Sequence, residues 1–336
     1  MPRLAFAVDA GFESLGGEAE LLLPAMAALG IHAEAAVWDD PSVDWAGFDG
    51  VVVKATWKYT HQVRAFTDWA DRVQGLVPLA NPAPVLRWNS NKGYLTDLSD
   101  AGVAIIPTTY IGAGTGLSLA DFPDLADWPE LVVKATVSAG ARLSGRFGPG
   151  DRRQPQDLVD TIHGLGHEVM VQPYLPAVDV EGETDVIVFG GTISHAVAKG
   201  GVLALGAAPA TDERLAIGQR NRPTPVTNEL IAFTSAVLAA VPGRPFLLHA
   251  RVDSVLDHNG TRRLMELELI EPFLFLASAP DPTAAAAVYA SATAAWPKTR
   301  RSPWSAGLYR LLTRGLVPWH PQRDSNPCVH LERVVS

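Results

Sequence analysis

Asp253 closes the run Leu248-His249-Ala250-Arg251-Val252-Asp253, and Glu266 and Glu268 sit in the run Arg263-Leu264-Met265-Glu266-Leu267-Glu268-Leu269-Ile270-Glu271-Pro272. Side chains alternate along a strand, so Glu266 and Glu268 share a face. Asp257-His258-Asn259-Gly260 lies between the runs, and its Asn-Gly tip is a hairpin signal that brings Asp253 close to both glutamates. Three carboxylates on one face of an apolar ribbon repel one another unless cations sit between them, and hard oxygen ligands suit Mg²⁺ or Mn²⁺. An acidic solvent-facing strand is the plainer reading. It is the weaker one, because apolar Met265, Leu267 and Leu269 alternate with the acids.

Cationic and polar residues stand at intervals upstream. Lys92 follows Trp88-Asn89-Ser90-Asn91 in the expected first turn of a helix that runs to Ala101 and stops at Gly102. The helix dipole opposes a cation there, so Lys92 is expected to reach an anion. Lys134 ends a strand over residues 131–135 and leads into the small-residue loop Thr136-Val137-Ser138-Ala139-Gly140-Ala141. Backbone N–H groups of such a loop can cover phosphates, although the GxxxxGK[ST] pattern is missing. Gln172 and Tyr174 end a strand over 169–174. Glu183 precedes, and Lys199 ends, a hairpin over 184–189 and 192–198 that turns at Gly190-Gly191.

Elements must hold these groups. Residues 3–9, 31–38 and 48–54 read as strands with a helix over 18–29, the pattern of an open parallel α/β sheet. Ligands bind beyond the carboxyl ends of such strands. Those ends carry Asp9, Trp38-Asp39-Asp40 and the stretch from Lys54 to Tyr59, without a GxGxxG fingerprint. A helix over 66–73 packs Phe66, Trp69, Ala70 and Val73 on one side. Residues 200–226 read as a long loop of the kind that closes over a site. Helices are expected over 228–240 and 281–295, and residues 296–336 read as an appended tail with one short helix over 305–314.

The 336 residues are enough for two or three domain-sized cores. Hydrophobic content of 47 % and charged content of 19 % are those of an ordinary globular chain, so disorder is not favoured. A net charge of −9 argues against a nonspecific nucleic-acid binder. The single cysteine, Cys328, excludes an intrachain disulfide or a cysteine zinc site. Met1-Pro2-Arg3-Leu4 leads straight into a strand, and no apolar run reaches the ~18 residues of a membrane span. A soluble cytoplasmic protein is expected.

In order, Lys92, Lys134 with its loop, Gln172, Glu183, Lys199, Arg251, Asp253 and Glu266-x-Glu268 resemble the ATP-grasp superfamily, in particular glutathione-synthetase-like carboxylate–amine ligases. The blocks VWDDPSVDWAGFDGVVVKATWKY, NPAPVLRWNSNKGYLTDL, SHAVAK and ARVD…MELELIEP are similar to one group of it, the O-ureido-serine cyclo-ligases of cycloserine biosynthesis. The resemblance implies an α/β fold with α+β lobes. A Rossmann-like pre-ATP-grasp substrate lobe would span 1–85, and an ATP-grasp domain 86–295, divided into a small lid lobe at about 125–175 and a large lobe at about 176–295.

The resemblance also implies roles. Lys92 and Lys134 contact ATP phosphates under a lid of Ser138, Ala139, Gly140 and Ala141. Gln172 and Tyr174 sit at the adenine hinge, and Glu183 binds ribose. Lys199 and Arg251 are catalytic at the transferred phosphoryl group, and Asp253, Glu266 and Glu268 ligate Mg²⁺ or Mn²⁺. Glu268 stands where many relatives have asparagine, and its extra charge should tighten metal binding. Lys54 and Lys58 replace an arginine and an aspartate, which implies a differently charged N-terminal pocket. The loop after Lys199 lacks the relatives' Phe-Arg-Val-Gln run, for which Arg214, Arg220 or Arg222 are the substitutes at hand.

The implied activity is an ATP-dependent carboxylate–amine ligase or cyclo-ligase that forms an amide through an acyl phosphate. Its implied setting is natural-product or amino-acid-derived antibiotic biosynthesis. Its partners would be a small amino acid or carboxylic acid and an amine, with no nucleic acid or membrane, in a homodimer. An ATP-dependent small-molecule kinase and a non-catalytic ATP-binding protein remain as alternatives.

Overall fold

The computed structural model describes residues 1–149, 153–210 and 221–296. Its strands form three sheets. The first is parallel, in the order β2-β1-β3-β4. It is built from β1 (Arg3–Val8), α1 (Ala19–Ala28), β2 (His32–Val37), β3 (Gly50–Ala55), α2 (Val63–Leu76) and β4 (Leu79–Ala80). The central strands β1 and β3 are largely apolar on both faces, as strands covered on both sides require, while the edge strand β2 carries exposed His32 and half-buried Glu34. Leu4, Phe6 and Val8 pack toward α1, while Ala5, Ala7, Val51 and Val53 pack toward Phe66, Trp69 and Val73 of α2.

The helix expected to open at Trp88 is two helices. Trp88 and Asn89 belong to α3 (Ala83–Asn89), and α4 (Tyr94–Asp100) starts after a break. Asn91 makes the break, its side chain accepting from Gly93 N at 2.8 Å. Lys92 therefore lies in the junction and not in a helical first turn, and its own N–H donates to Thr136 O at 2.8 Å.

The second sheet, β5-β8-β6-β7, is antiparallel. It contains β5 (Thr109–Ile111), β6 (Leu131–Ala135), β7 (Ser144–Phe147) and, after α5 (Arg153–Gly164), β8 (Val169–Pro173). Leu131, Val133 and Ala135 pack on Leu158, Val159 and Ile162 of α5. By alternation Val132 and Lys134 face the other way. Phe147 ends β7, the strand that follows the small-residue loop.

The third sheet is antiparallel, in the order β11-β10-β9-β12-β13. After α6 (Ala177–Val180) come β9 (Glu183–Phe189), β10 (Thr192–Lys199), β11 (Arg222–Thr224), α7 (Asn228–Ala239), β12 (His249–Leu256) and β13 (Arg262–Glu268), with α8 (Pro282–Ala295) last. The stretch expected as one loop over 200–226 thus returns as an edge strand, Arg222–Thr224, paired with Ala196–Ala198. Arg222 is exposed and donates to Glu181 O at 2.7 Å. Arg214, Arg220, Cys328 and the helix expected over 305–314 lie outside the described residues.

Buried polar ties lock the first sheet to the third. Asn81 donates to His249 O and Leu269 O and accepts from Leu248 N, and Asn89 bonds Leu267 O and Leu269 N. Lys54 is fully buried; its ammonium is 2.7 Å from Glu18 and donates to Pro272 O. Glu18 also accepts from Leu274 N and Leu276 N. Lys54 therefore ties Glu18, beside α1, to the segment after β13 and adds no charge to a pocket, contrary to the expectation for it. No helix among the described residues is long and apolar enough to cross a membrane.

Candidate active site

The β12–β13 hairpin forms where the sequence placed it. Gly260 has a φ of +75°, a conformation that favours glycine, and the Asp257 carboxylate accepts from Asn259 N and Thr261 N to hold the turn. Asp253 stands opposite Glu266 and Arg251 opposite Glu268. On β9, Asp185 stands opposite Asp253, and across β10 Glu183 stands opposite Lys199. One face of four strands thus carries a belt of charge from Lys199 to Glu266. Further along that face Ile187, Phe189 and Val197 join the core under α8, and on the other face Val186, Val188, Ala250, Val252 and Leu267 form another core. The site begins where the apolar alternation on that face gives way to acids.

The acids are held by the chain's own cations. Arg251 Nε and Nη2 donate to Asp253 at 2.8 Å each, Nη2 also bonds Glu268, and Nη1 reaches Phe273 O. Lys199 pairs with Glu183 and lies 3.3 Å from Asp185. Gly182, at φ +84°, permits that approach, since a Cβ there would stand 2.5 Å from Lys199 O.

Lys92 connects the lid loop to the hairpin, with its ammonium 2.6 Å from Ser138 O and 3.0 Å from Glu266 Oε1. Lys134 has no hydrogen-bond or ion-pair partner among the described residues, and burial lowers its pKa to about 8 despite the nearby charge of Glu266. Gln172 lies opposite Val132 and donates to Thr108 Oγ1. The Tyr174 hydroxyl donates to Asp179, and the Arg146 guanidinium lies 3.4 Å from the centre of its ring.

Burial raises the Glu268 carboxyl to about 7, opposed by Arg251 and reinforced by Asp253. Burial also works against ionised Glu266, but Lys92 and Lys134 outweigh it and its pKa falls below the usual value. Asp185 is wholly buried, without a hydrogen bond to either oxygen, and burial followed by the Asp253 charge lifts its pKa well above the carboxylate range.

One cleft is lined by every residue to which the resemblance gives a nucleotide, metal or phosphoryl role: Lys92, Lys134, Ser138, Ala139, Gly140, Ala141, Gln172, Tyr174, Glu183, Lys199, Arg251, Asp253, Glu266 and Glu268. Trp57, Tyr59, Glu271, Phe273 and Phe275 complete its wall on the side of the first sheet. The sequence also pointed to Asp9 at that end. It is buried, and its carboxylate accepts from Trp38 Nε1 and Lys58 N, so it fixes the strand end.

Hard carboxylate oxygens with the reach to share a cation occur on Glu183, Asp185 and Asp253, whose ligand atoms lie within 4.8 Å of one another. Asp253 belongs both to this group and to the set expected from the sequence. Asp185 was missed there, although Glu183-x-Asp185 repeats the spacing of Glu266-x-Glu268. Glu271 was missed too, a lone acid in the apolar run Leu269-Ile270-Glu271-Pro272-Phe273.

Residues 4–81 match the family model described as the N-terminal domain of D-cycloserine synthetase DcsG. The cycloserine biosynthesis protein DcsG of Streptomyces lavendulae is 33 % identical over 288 residues, which is 84 % of this chain and 95 % of that protein. The crystal structure of D-cycloserine synthetase DcsG superposes with a TM-score of 0.77 at 31 % identity, over 87 % of this chain and 98 % of the other. D-alanine–D-alanine ligase from Bacillus anthracis, solved with ATP, superposes with a TM-score of 0.61 at 15 % identity, over 87 % and 95 % of the two chains, a likeness of fold.

Proposed function

The chain belongs to the D-cycloserine synthetase family of ATP-grasp ligases and is an ATP-dependent C–N ligase, and on that premise we propose how its cleft works. A substrate carboxylate oxygen attacks the γ-phosphorus of ATP. A C–O–P bond forms, the bond to the β-phosphate oxygen breaks and ADP leaves. An amine nitrogen then attacks the acyl carbon, phosphate departs with the C–O electron pair, and the nitrogen loses a proton as the amide forms. The observation that carries this reading is one cleft in which Lys92 of the α3–α4 junction and Lys134 of β6 meet the acidic face of the third sheet, which also carries Lys199.

Phosphoryl transfer asks little covalent chemistry of a protein and much positioning and charge stabilisation. Lys134 and Lys92 sit beneath the small-residue loop, where phosphate oxygens supply the anions that a buried ammonium lacks. Backbone N–H groups of Ser138, Ala139 and Gly140 cover the same oxygens. Gln172 and Tyr174 hold the base at the strand end, and Glu183 lies within reach of the ribose hydroxyls. Lys199 and Arg251 meet the charge that develops on the moving phosphoryl group.

The acids fit a hard dication, because the chemically suited donors in the cleft are carboxylate oxygens. Asp253 with Glu266 and Glu268 would hold Mg²⁺ or Mn²⁺, which when bound neutralises phosphate charge. Arg251 and Lys92 presently neutralise those acids, so they are the groups that nucleotide and metal re-pair. The relatives' role in cycloserine biosynthesis supports a place in making an amino-acid-derived antibiotic.

The test is an ADP-release screen with MgATP, amino acids and O-ureido-serine-like compounds, with products read by mass. A product one water lighter than its substrate or summed substrates, formed with one ADP and one phosphate, is expected. A stable phosphorylated product would make the chain a kinase, and bound ATP without ADP release would make it a non-catalytic binder.

A further inference from the structure

Among the carboxylates that line the cleft, Glu183, Asp253, Glu266 and Glu268 each have a cation of the chain in contact. Glu271 has neither a hydrogen bond nor an ion pair among the described residues, yet it is 7 % exposed. The charges that bear on it are Glu268, Lys92, Asp9 and Glu266. The one cation of that set, Lys92, is already committed to Glu266 and Ser138 O. Burial, followed by the charge of Glu268, raises its pKa well above the usual carboxylate value, so an ionised Glu271 calls for a cation that the protein itself does not supply.

Its surroundings indicate which cation. Among charges, Glu271 is the one that bears most on the Tyr59 hydroxyl. Trp57, Tyr59, Phe273 and Phe275 line the same cleft. A carboxylate beside aromatic rings suits a compact organic ammonium, attracted by the charge and by the ring faces. The backbone around Glu271 is anchored, since Pro272 O accepts from buried Lys54 and the N–H groups of Leu274 and Leu276 are held by Glu18. A preorganised acceptor of this kind loses little on binding.

We propose that Glu271 selects an ammonium-bearing substrate by pairing with its ammonium group, which points the substrate's carboxylate toward Arg251 and the phosphate end of the cleft. This rests on the ligase reading and adds the residue that distinguishes an amino acid from a hydroxy acid.

The test measures binding without turnover. Full-length protein with Mg²⁺ and ADP is titrated with D-serine, L-serine, D-alanine and O-ureido-D-serine. Each is compared with its 2-hydroxy counterpart, and Trp57 offers a fluorescence reporter in the cleft. At least one amino acid should saturate, with its hydroxy counterpart about 10- to 100-fold weaker. Glu271→Gln, nearly isosteric, should reduce that preference to about twofold or less while ADP affinity changes by about twofold at most. Glu271→Asp should retain part of the preference.

Equal binding of amino and hydroxy acids, no saturable binding of any amino acid, or a preference that survives Glu271→Gln would overturn the proposal. So would a loss of ADP–Mg²⁺ affinity in that variant, which would make Glu271 a metal ligand. Failure of the ligase reading looks different: Glu271-dependent amino-acid binding would remain, and replacing ADP by ATP would yield no ADP.

Discussion

Lys92 Nζ lies 3.0 Å from Glu266 Oε1 while donating to Ser138 O, so one ammonium joins the lid loop to the acidic hairpin. The lysine sits in a helix junction whose backbone is itself bonded to Thr136 of the loop's approach. Lys92→Ala should lower kcat/KM for ATP by ~10²–10³, the usual effect of losing one preorganised charge stabiliser. Steady-state kinetics with unchanged circular dichroism would check this, and an ATP dependence like that of the wild type would contradict it.

Lys134 should give nucleotide binding a characteristic pH dependence. Its pKa is lowered to about 8, chiefly by burial, so the free protein loses this charge as pH rises through about 8. Phosphate favours the charged form, so binding takes up a proton above that pH and ATP affinity falls as pH increases. Lys134→Arg, charged throughout, should flatten the profile. Calorimetric titrations from pH 6.5 to pH 9.5 would show it, and a profile identical in both proteins would contradict it.

Glu266→Gln should reduce ADP release by ~10²–10³ and raise the Mg²⁺ concentration needed for half-maximal rate. Asp185→Asn separates two arrangements of the metal ligands. If Glu183, Asp185 and Asp253 hold the essential ion, Asp185→Asn should raise the Mg²⁺ requirement as strongly as Glu266→Gln does. With Asp253, Glu266 and Glu268 as the ligands, it should leave that requirement nearly unchanged. Metal titrations of the two variants side by side decide between them.

Lys54→Met addresses the buried tie to Glu18. It leaves Glu18 buried without its cation, and breaking a buried pair costs ~3–5 kcal/mol. Denaturant unfolding should show a loss of that order with KM for ATP close to wild type. A stable variant with altered substrate selectivity would return Lys54 to the pocket.

Much of this site was legible in the sequence because strand alternation is strict. Glu266-x-Glu268 puts both glutamates on one face and the Asn259-Gly260 turn brings β12 beside β13, but a register shift between Asp253 and Ser254 that skips Met265, which the spacing does not reveal, is what sets Asp253 opposite Glu266. Gly190-Gly191 likewise joins β9 to β10, and a shift that skips Ser194 sets Glu183 opposite Lys199 rather than Ala198. Spacing does not reveal sheet order, and Asp185 reaches Asp253 only because β9 pairs with β12. Lys54 read as a pocket charge because its partners, Glu18 and Pro272 O, come from distant parts of the chain. The junction at Lys92 was hidden because Asn91 breaks the helix through its side chain rather than through a glycine or proline.

The acyl-phosphate route is tested most directly by isotope transfer. An acid that supports ADP release is labelled with ¹⁸O in its carboxylate and turned over once, and the phosphate is examined by mass. Attack of the carboxylate on the γ-phosphorus carries one ¹⁸O into the released phosphate. Unlabelled phosphate, or AMP and pyrophosphate in place of ADP, would contradict it.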